Sequence, residues 1–473
     1  MSSTLFSAFD ESEKRMVDET LSESFWDIAA PLRVDKSTVE YNYYRYTPQE
    51  TNITGLEKFK FVVSDVDRWM LPSKGFIRLR VEILKTDGVG NLARAMVLAN
   101  PAGHVAIGAC SYKIDTAEVE NNANYQYLAA LVHQLTNYSP DYLKQAEQYG
   151  FALDTLPHAW SPTVTNDSGF EKRAELAEAL TPALVTTPVT FNVIVPLNEL
   201  FAIHRDVPIA MIGARHEILI TKNREFVRAV QGVADSLVTS INITDAELLM
   251  PFVTPSNETN TGLFALQSTL KLLPYAYNRY EVFQDQVLAN NSTSLSWNVT
   301  NINNQLQSVF VFFLTSKNTV AGVSPTMMTN RNLTSIQLRI GTSYFPVNGL
   351  NCKFPTYAAA DGTVLSKAGE NAFEAYENYL VCCGKGVGND NGVILSYRDF
   401  IQKYTIFSFD LTRTDENIFS GGKNLIIEAK FGANPAGETK NHIATIPTCV
   451  IVYKQKVFIN TSENKVIVAS GHR

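Results

Sequence analysis

Val189–Thr221, VTFNVIVPLNELFAIHRDVPIAMIGARHEILIT, is the stretch whose reading decides the fold of this chain. Val189, Phe191, Val193 and Val195 alternate with Thr190, Asn192 and Ile194, the period of two that sets one face of a strand in a core. Pro196 has no N–H to give a ladder, so it closes the run. Leu197 to Ile203 leaves room for about two helical turns, with Leu197, Leu200 and Phe201 on one side. Gly213 then releases HEILIT, whose β-branched residues suit a pleated surface. Strand, short helical corner and return strand is how a sandwich passes between its two sheets.

The same phrase recurs late in the chain. TIFSFDLT, Thr405 to Thr412, lines up with TFNVIVPL, Thr190 to Leu197, and each is followed by a connection and a return strand, NLIIEAKF (Asn424 to Phe431) in the later case. That recurrence predicts a duplicated β domain. The length of 473 residues allows two or three domains. Hydrophobic residues at 45% and charged residues at 18% supply sizeable cores, and the low charge favours strands and polar loops over long charged helices. A net charge of −7 argues against coating nucleic acid, which requires basic surface to displace counterions.

Cys110, Cys352, Cys382, Cys383 and Cys449 have no framework spacing, and reduced thiols are expected. The first thirty residues have no apolar core of signal length, and no run of 18 apolar residues exists, so synthesis in the cytosol and no transmembrane segment are expected. The sequons at Asn52, Asn242, Asn298 and Asn332 are then a by-product of an Asn- and Thr-rich chain.

Taken in order, Asp10 to Ile28 is expected to be helical. Asp10 and Glu13 have capping-box spacing, and Val17, Leu21, Phe25 and Ile28 form an apolar stripe. Strands are expected at Val39–Tyr46, Phe59–Val66, Phe76–Lys85 and Val105–Ile114, and a helix at Asn124–Thr136. The polar passage from Ser139 to Pro188, with a helix over Glu171–Leu180, is too long for a hairpin connection and is expected to project from one end of the sandwich. After a strand at Ile241–Phe252, Pro255 to Gly262 reads as the boundary. The second half repeats the grammar, with strands at Leu266–Pro274, Tyr280–Leu288, Ser294–Val299, Ser308–Thr315 and Ile336–Ile340. Helices are expected at Glu370–Cys383 and Ser396–Lys403, and final strands at Asn424–Phe431, Thr448–Asn460 and Lys465–Ala469. The domains are thus residues 1–37, an N-terminal helical arm; 38–254, a first sandwich with the insertion at 139–188; and 255–473, a second sandwich.

No chemistry emerges from the motifs. There is no G-x-S-x-G, H-E-x-x-H or Walker sequence. Cys383-Gly384-Lys385-Gly386-Val387-Gly388 has three glycines but follows a helix and reads as a loop. His204-Arg205-Asp206 resembles the kinase catalytic triplet, but Met211 stands where that signature needs Asn. His204, His216 and Asp206 lack the further ligands a zinc site needs. Asp65 and Asp67 share a strand face but read as a solvated strand end, and Asn389 to Gly392 lacks the glutamate of an EF-hand loop. No catalytic, cofactor-binding or metal residue is assigned, and no enzyme activity is expected.

DVDRWMLPSKGFIRLRVEILKTDG, FNVIVPLNELFAI, IGARHEILIT, LRIGTSYFP, ENAFEAYENYL and LSYRDFIQKYTIFSFDLT, in that order from about Phe59 to Ala469, resemble the double jelly-roll major capsid proteins of small double-stranded DNA viruses, the polinton-like virus, adintovirus and virophage group. The resemblance implies an all-β fold with short helical insertions, two tandem eight-stranded jelly rolls, and no cofactor. It implies a homotrimer forming a pseudo-hexameric capsomer that tiles an icosahedral virion shell around a dsDNA genome, assembled inside the host cell. Partners would be neighbouring capsomers and a minor capsid or penton protein with a single jelly roll, without specific nucleic-acid binding. The long segments Ser139–Pro188 and Gly341–Gly369 would build outward towers, and the N-terminal arm would tie capsomers together at the base. The competing readings are a tandem β-sandwich module binding carbohydrate or protein and, behind it, a cupin-type enzyme, for which seven scattered histidines are a poor ligand set.

Overall fold

A computed structural model describes residues 38–65, 68–85, 97–154, 168–178, 188–212, 214–223, 230–231, 238–269, 272–302, 306–315, 326–357, 364–366, 369–385, 392–415, 418–419, 422–432, 444–460 and 465–469. The expected arm helix over Asp10–Ile28 lies outside the described residues. Eight principal strands make the first half: β1 (Thr38–Tyr46), β2 (Lys58–Ser64), β3 (Phe76–Lys85), β4 (Ile107–Ile114), β5 (Ala117–Asn122), β6 (Val189–Pro196), β7 (Arg215–Lys222) and β8 (Val238–Pro255). Eight more make the second: β9 (Leu272–Gln284), β10 (Ser294–Ile302), β11 (Leu306–Thr315), β12 (Leu333–Ile340), β13 (Ser343–Asn351), β14 (Phe407–Asp410), β15 (Lys423–Phe431) and β16 (Thr445–Asn460).

The first half pairs them in the orders β1-β8-β3-β6 and β2-β7-β4-β5, and the second in β9-β16-β11-β14 and β10-β15-β12-β13. Adding eight to each label of the first pair of sheets gives the second, so the duplication holds strand for strand. All these pairings are antiparallel, and each half is a jelly-roll sandwich of two sheets with four principal strands each, short strands such as Trp69–Met70 and Lys465–Ala469 being added to one sheet of each half. The equivalence extends to single residues. In the first half one rung runs Tyr46–Leu248–Ile77–Val195 across β1, β8, β3 and β6. Its counterpart runs Tyr280–Val452–Ser308–Asp410 across β9, β16, β11 and β14. Val195 and Asp410 are the residues that superimpose when TFNVIVPL is laid on TIFSFDLT.

Period-two patterning accounts for most of the core. On β3, Ile77, Leu79, Val81 and Ile83 are buried while Arg78, Arg80 and Glu82 face outward, each aliphatic side chain contributing about 1.5–3 kcal/mol by leaving water. The β6–β7 corner forms as the sequence indicates. Helices α2 (Leu197–Leu200) and α3 (Ala202–Asp206) fill it, and β6 and β7 lie in opposite sheets. On β11 the alternation is lost because Val309 to Leu314 are covered on both faces.

Four expectations are corrected. Leu266–Thr269 is no strand: α4 (Asn257–Thr269) spans the expected boundary, capped where the Ser256 hydroxyl accepts from the Thr259 N–H at 3.3 Å, and Trp69 Nε1 donates to Asn260 at 3.0 Å. The expected strands Leu266–Pro274 and Tyr280–Leu288 are replaced by β9 running unbroken to Gln284. Ser343–Asn351, inside the expected Gly341–Gly369 tower, is the edge strand β13. The helix expected over Glu171–Leu180 is Ser168–Ala174, and the insertion's described parts fold back on the body, with Ala146, Phe151 and Phe170 buried. The equivalent helices α1 (Gln126–Asn137) and α5 (Phe373–Cys382) both lie between the fifth and sixth strands of their halves, followed in the second by α6 (Tyr397–Gln402), capped by Ser396.

Candidate assembly site: the seam between the two sandwiches

The contacts that hold the two sandwiches in one relation are concentrated on β9. Tyr277, 1% exposed, donates its hydroxyl to the Val119 carbonyl at 2.7 Å. Arg279, two residues on and therefore on the same strand face, donates to the Asn121 carbonyl at 2.5 Å. Asn278 between them has its main chain gripped by α3: Arg205 donates to its carbonyl at 3.1 Å, and its N–H donates to Asp206 at 2.7 Å. The edge strand of the second sandwich thus has peptide groups satisfied by side chains of the first, which also blocks that edge to a stray strand.

Helix α1 completes the seam. Every residue from Gln126 to Thr136 is buried, an all-round burial that its apolar stripe of Tyr127, Leu128, Leu131 and Leu135 does not account for alone. The additional cover comes from both halves. In the first, Gln126 and Gln134 donate to the Leu200 carbonyl at 3.0 Å and the Glu199 carboxylate at 2.6 Å. From the second, the Tyr280 ring lies 5.6 Å from His133, and Tyr379 of α5 donates to the Leu135 carbonyl. Arg205 stands 5.1 Å over the Tyr280 ring, within cation–π range. Burial pushes the Tyr280 hydroxyl and the His133 imidazole toward their neutral forms. Behind them Glu120, 2% exposed, accepts from the Ala202 and Ile203 N–H groups at 3.1 Å each and so fixes the start of α3. Burial raises its carboxyl above the usual range, against the lowering effect of those two bonds. A small polar cavity lies here, lined in part by Glu120, Gln126, His133, Glu199 and Arg205.

The insertion is tied to both halves. Arg173 is fully buried and donates to the Leu98 carbonyl at 3.1 Å, the Ala152 carbonyl at 2.6 Å and the Asp154 carboxylate at 2.6 Å. Lys403 of the second half donates to the Asp154 carbonyl at 3.0 Å.

The residues weighed from sequence go elsewhere. His204 and His216 lie on either side of Tyr112, whose hydroxyl is 2.6 Å from His216 Nδ1, and burial depresses them to about 3 and about 4. Asp206 points away to Asn278, so the three do not converge. Asp65 is held by the Arg68 guanidinium, with Arg68 Nε at 2.8 Å; Asp67, residues 386–388 and Asn389 to Asn391 lie outside the described residues. Among the described residues no group of three or more His, Cys, Asp or Glu side chains could hold a metal. Burial pushes all five thiols up, Cys352 and Cys383 to about 12, far from the thiolate a nucleophile needs. Cys382 and Cys383, one expected to pack inward and the other to face a loop, are both half-buried.

A family model described as a double jelly roll-like domain matches residues 183–451, more than half of the chain. The chain belongs to that family. The match runs from ahead of β6 into β16, across the seam. The double jelly roll is also similar to solved structures. The Sputnik virophage structure covers 94% of this chain and 91% of its own at 12% identity, with a TM-score of 0.59. The mavirus major capsid protein covers 93% and 92% at 10% identity, with a TM-score of 0.57. A quasi-atomic model of the PBCV-1 virus capsid covers 94% and 100% at 10% identity, with a TM-score of 0.51. At these identities the likeness is one of fold. No curated protein matches the chain in sequence.

Proposed function

We propose that this double jelly roll is a major capsid protein: a structural subunit without catalytic residues that forms homotrimers, each a pseudo-hexameric capsomer, tiling an icosahedral shell around a dsDNA genome. The observation that carries the reading is the strand-for-strand duplication joined by a buried seam. Three chains with two like sandwiches each give six like units around a ring, and a rigid seam keeps the six-fold spacing fixed. The fold of the mavirus major capsid protein supports the same reading. In this proposal residues 1–37 are an arm, 38–254 and 255–473 the two jelly rolls, and the arm and outer surfaces meet neighbouring capsomers and a minor capsid protein in the virion.

The experiment is the native mass of purified protein by light scattering, with images of the same fraction. Three times the 52.5 kDa of one chain, with hexagonal outlines, is the expected result. A stable single chain that binds glycans would overturn it in favour of a tandem binding module.

A further inference from the structure

The seam inside the chain leaves two unmatched halves of itself on the outside. It joins the first-strand edge of the second sandwich, β9, to the fifth strand, helix and corner of the first, namely β5, α1 and α3. Through the duplication, β1 is the equivalent of β9, and β13 and α5 are the equivalents of β5 and α1. All three equivalents carry exposed apolar side chains. Val39, at a bulge of β1, and Tyr41 and Tyr43, alternate residues on one face of it, are 72%, 46% and 45% exposed. On the other side Val347 of β13 and Phe373 and Val381 of α5 are 81%, 62% and 49% exposed. Whereas α1 is buried all round, α5 buries only Ala375 and Tyr379. Scattered single apolar residues on a surface need no explanation, but Tyr41 and Tyr43 stand on the strand equivalent to β9, and Val347, Phe373 and Val381 on the elements equivalent to β5 and α1, which the internal seam joins.

The register makes the match specific. Because the rung at Tyr46 is the rung at Tyr280 and neither strand bulges between there and residues 40 and 274, Tyr41 is equivalent to Tyr275, Tyr43 to Tyr277, Arg45 to Arg279 and Tyr46 to Tyr280. The sequences agree: EYNYYRY, residues 40–46, against PYAYNRY, residues 274–280. Tyr277 and Arg279 are the donors that bond to β5 carbonyls inside the chain. Tyr43 and Arg45 carry the same two groups at exposed positions, the Tyr43 hydroxyl making only a long bond of 3.4 Å to the Lys74 carbonyl.

The geometry points to a second copy of this chain as the occupant, docked head to tail: β1 of one chain seats on β13 and α5 of the next, with Tyr43 and Arg45 donating to its strand carbonyls as Tyr277 and Arg279 do within a chain. This rests on the trimeric reading and names its surfaces. Such a contact joins two different patches, so repeating it builds a ring rather than a closed pair.

The test uses the full chain with either face disabled: Tyr43→Glu with Arg45→Glu, or Val347→Glu with Phe373→Glu, all at exposed positions. Each variant alone is expected to keep the wild-type circular dichroism and run at the mass of one chain. Mixed in equal amounts at high concentration, the pair is expected to give a species of two chains, since one intact face remains on each. Either variant assembling like the wild type, or the mixture staying at one chain while the wild type is a trimer, would overturn the inference and leave the capsid reading standing. A wild type that is itself a single chain removes the trimer, and this inference with it. If the charged variants lose their fold, the milder Tyr43→Ser and Phe373→Ser are expected to raise the concentration at which trimers dissociate at least tenfold, and no change overturns the assignment.

Discussion

Replacing Arg173 with methionine would expose how strongly the insertion is pinned. The side chain is fully buried, and its three donors serve the Leu98 carbonyl, the Ala152 carbonyl and the Asp154 carboxylate. Removing one partner of a buried ion pair costs about 3–5 kcal/mol, because the remaining charge has lost its compensation. Two carbonyls that lose a donor add about 1 kcal/mol each. Arg173→Met should therefore cost at least roughly 5 kcal/mol, the low end of that sum. At about 2–4 °C per kcal/mol for a unit of this size, the first thermal transition should fall by roughly 10–20 °C. Differential scanning calorimetry reads it, and limited proteolysis of the native protein should show new cleavage near Asp154 and Arg173. The double variant Arg173→Met with Asp154→Leu should recover most of the loss, since an apolar pair of similar volume replaces the ionic one. A transition within about 2 °C of wild type for Arg173→Met alone would refute the reasoning.

Two further outcomes are expected. His204 and His216 are buried neutral, with folded values of about 3 and about 4 against about 6.5 unfolded, so between those limits only the unfolded chain binds the protons. Stability is therefore full above pH 6.5 and falls as pH drops, by about 2 kcal/mol per histidine at pH 5; urea midpoints unchanged between pH 7 and pH 5 would contradict this. Tyr277→Phe should cost about 1–2 kcal/mol by leaving the Val119 carbonyl without its donor, while the equivalent Tyr43→Phe should leave the monomer's midpoint unchanged within about 0.5 kcal/mol, both read by urea unfolding.

Much of this architecture is local and therefore legible in the sequence. Period-two alternation set β3 and β6, and the recurrence of TFNVIVPL as TIFSFDLT showed the duplication, because side-chain alternation follows directly from strand geometry. The corner of Leu197 to Ile203 was equally readable from its proline and its spacing, and the structure carries it on to Asp206. Three features were not. The edge strand β13 carries Pro346 and Gly349, which read as breakers, yet an edge strand tolerates proline because one row of its N–H groups makes no ladder bond. Helix α4 is polar enough to pass for a linker, and its signal was the Ser256 cap together with Trp69, a partner 191 residues away from Asn260. The seam rests on pairs such as Val119 with Tyr277, separated by 158 residues, and no local period encodes such a pair. A usable trace of it existed in EYNYYRY and PYAYNRY. The sequence by itself determined two copies of one β fold and where most of their strands lie. Only the tertiary structure decided which copy's edge is covered and which is left bare, because that depends on which surfaces the packing of one sandwich against the other consumes.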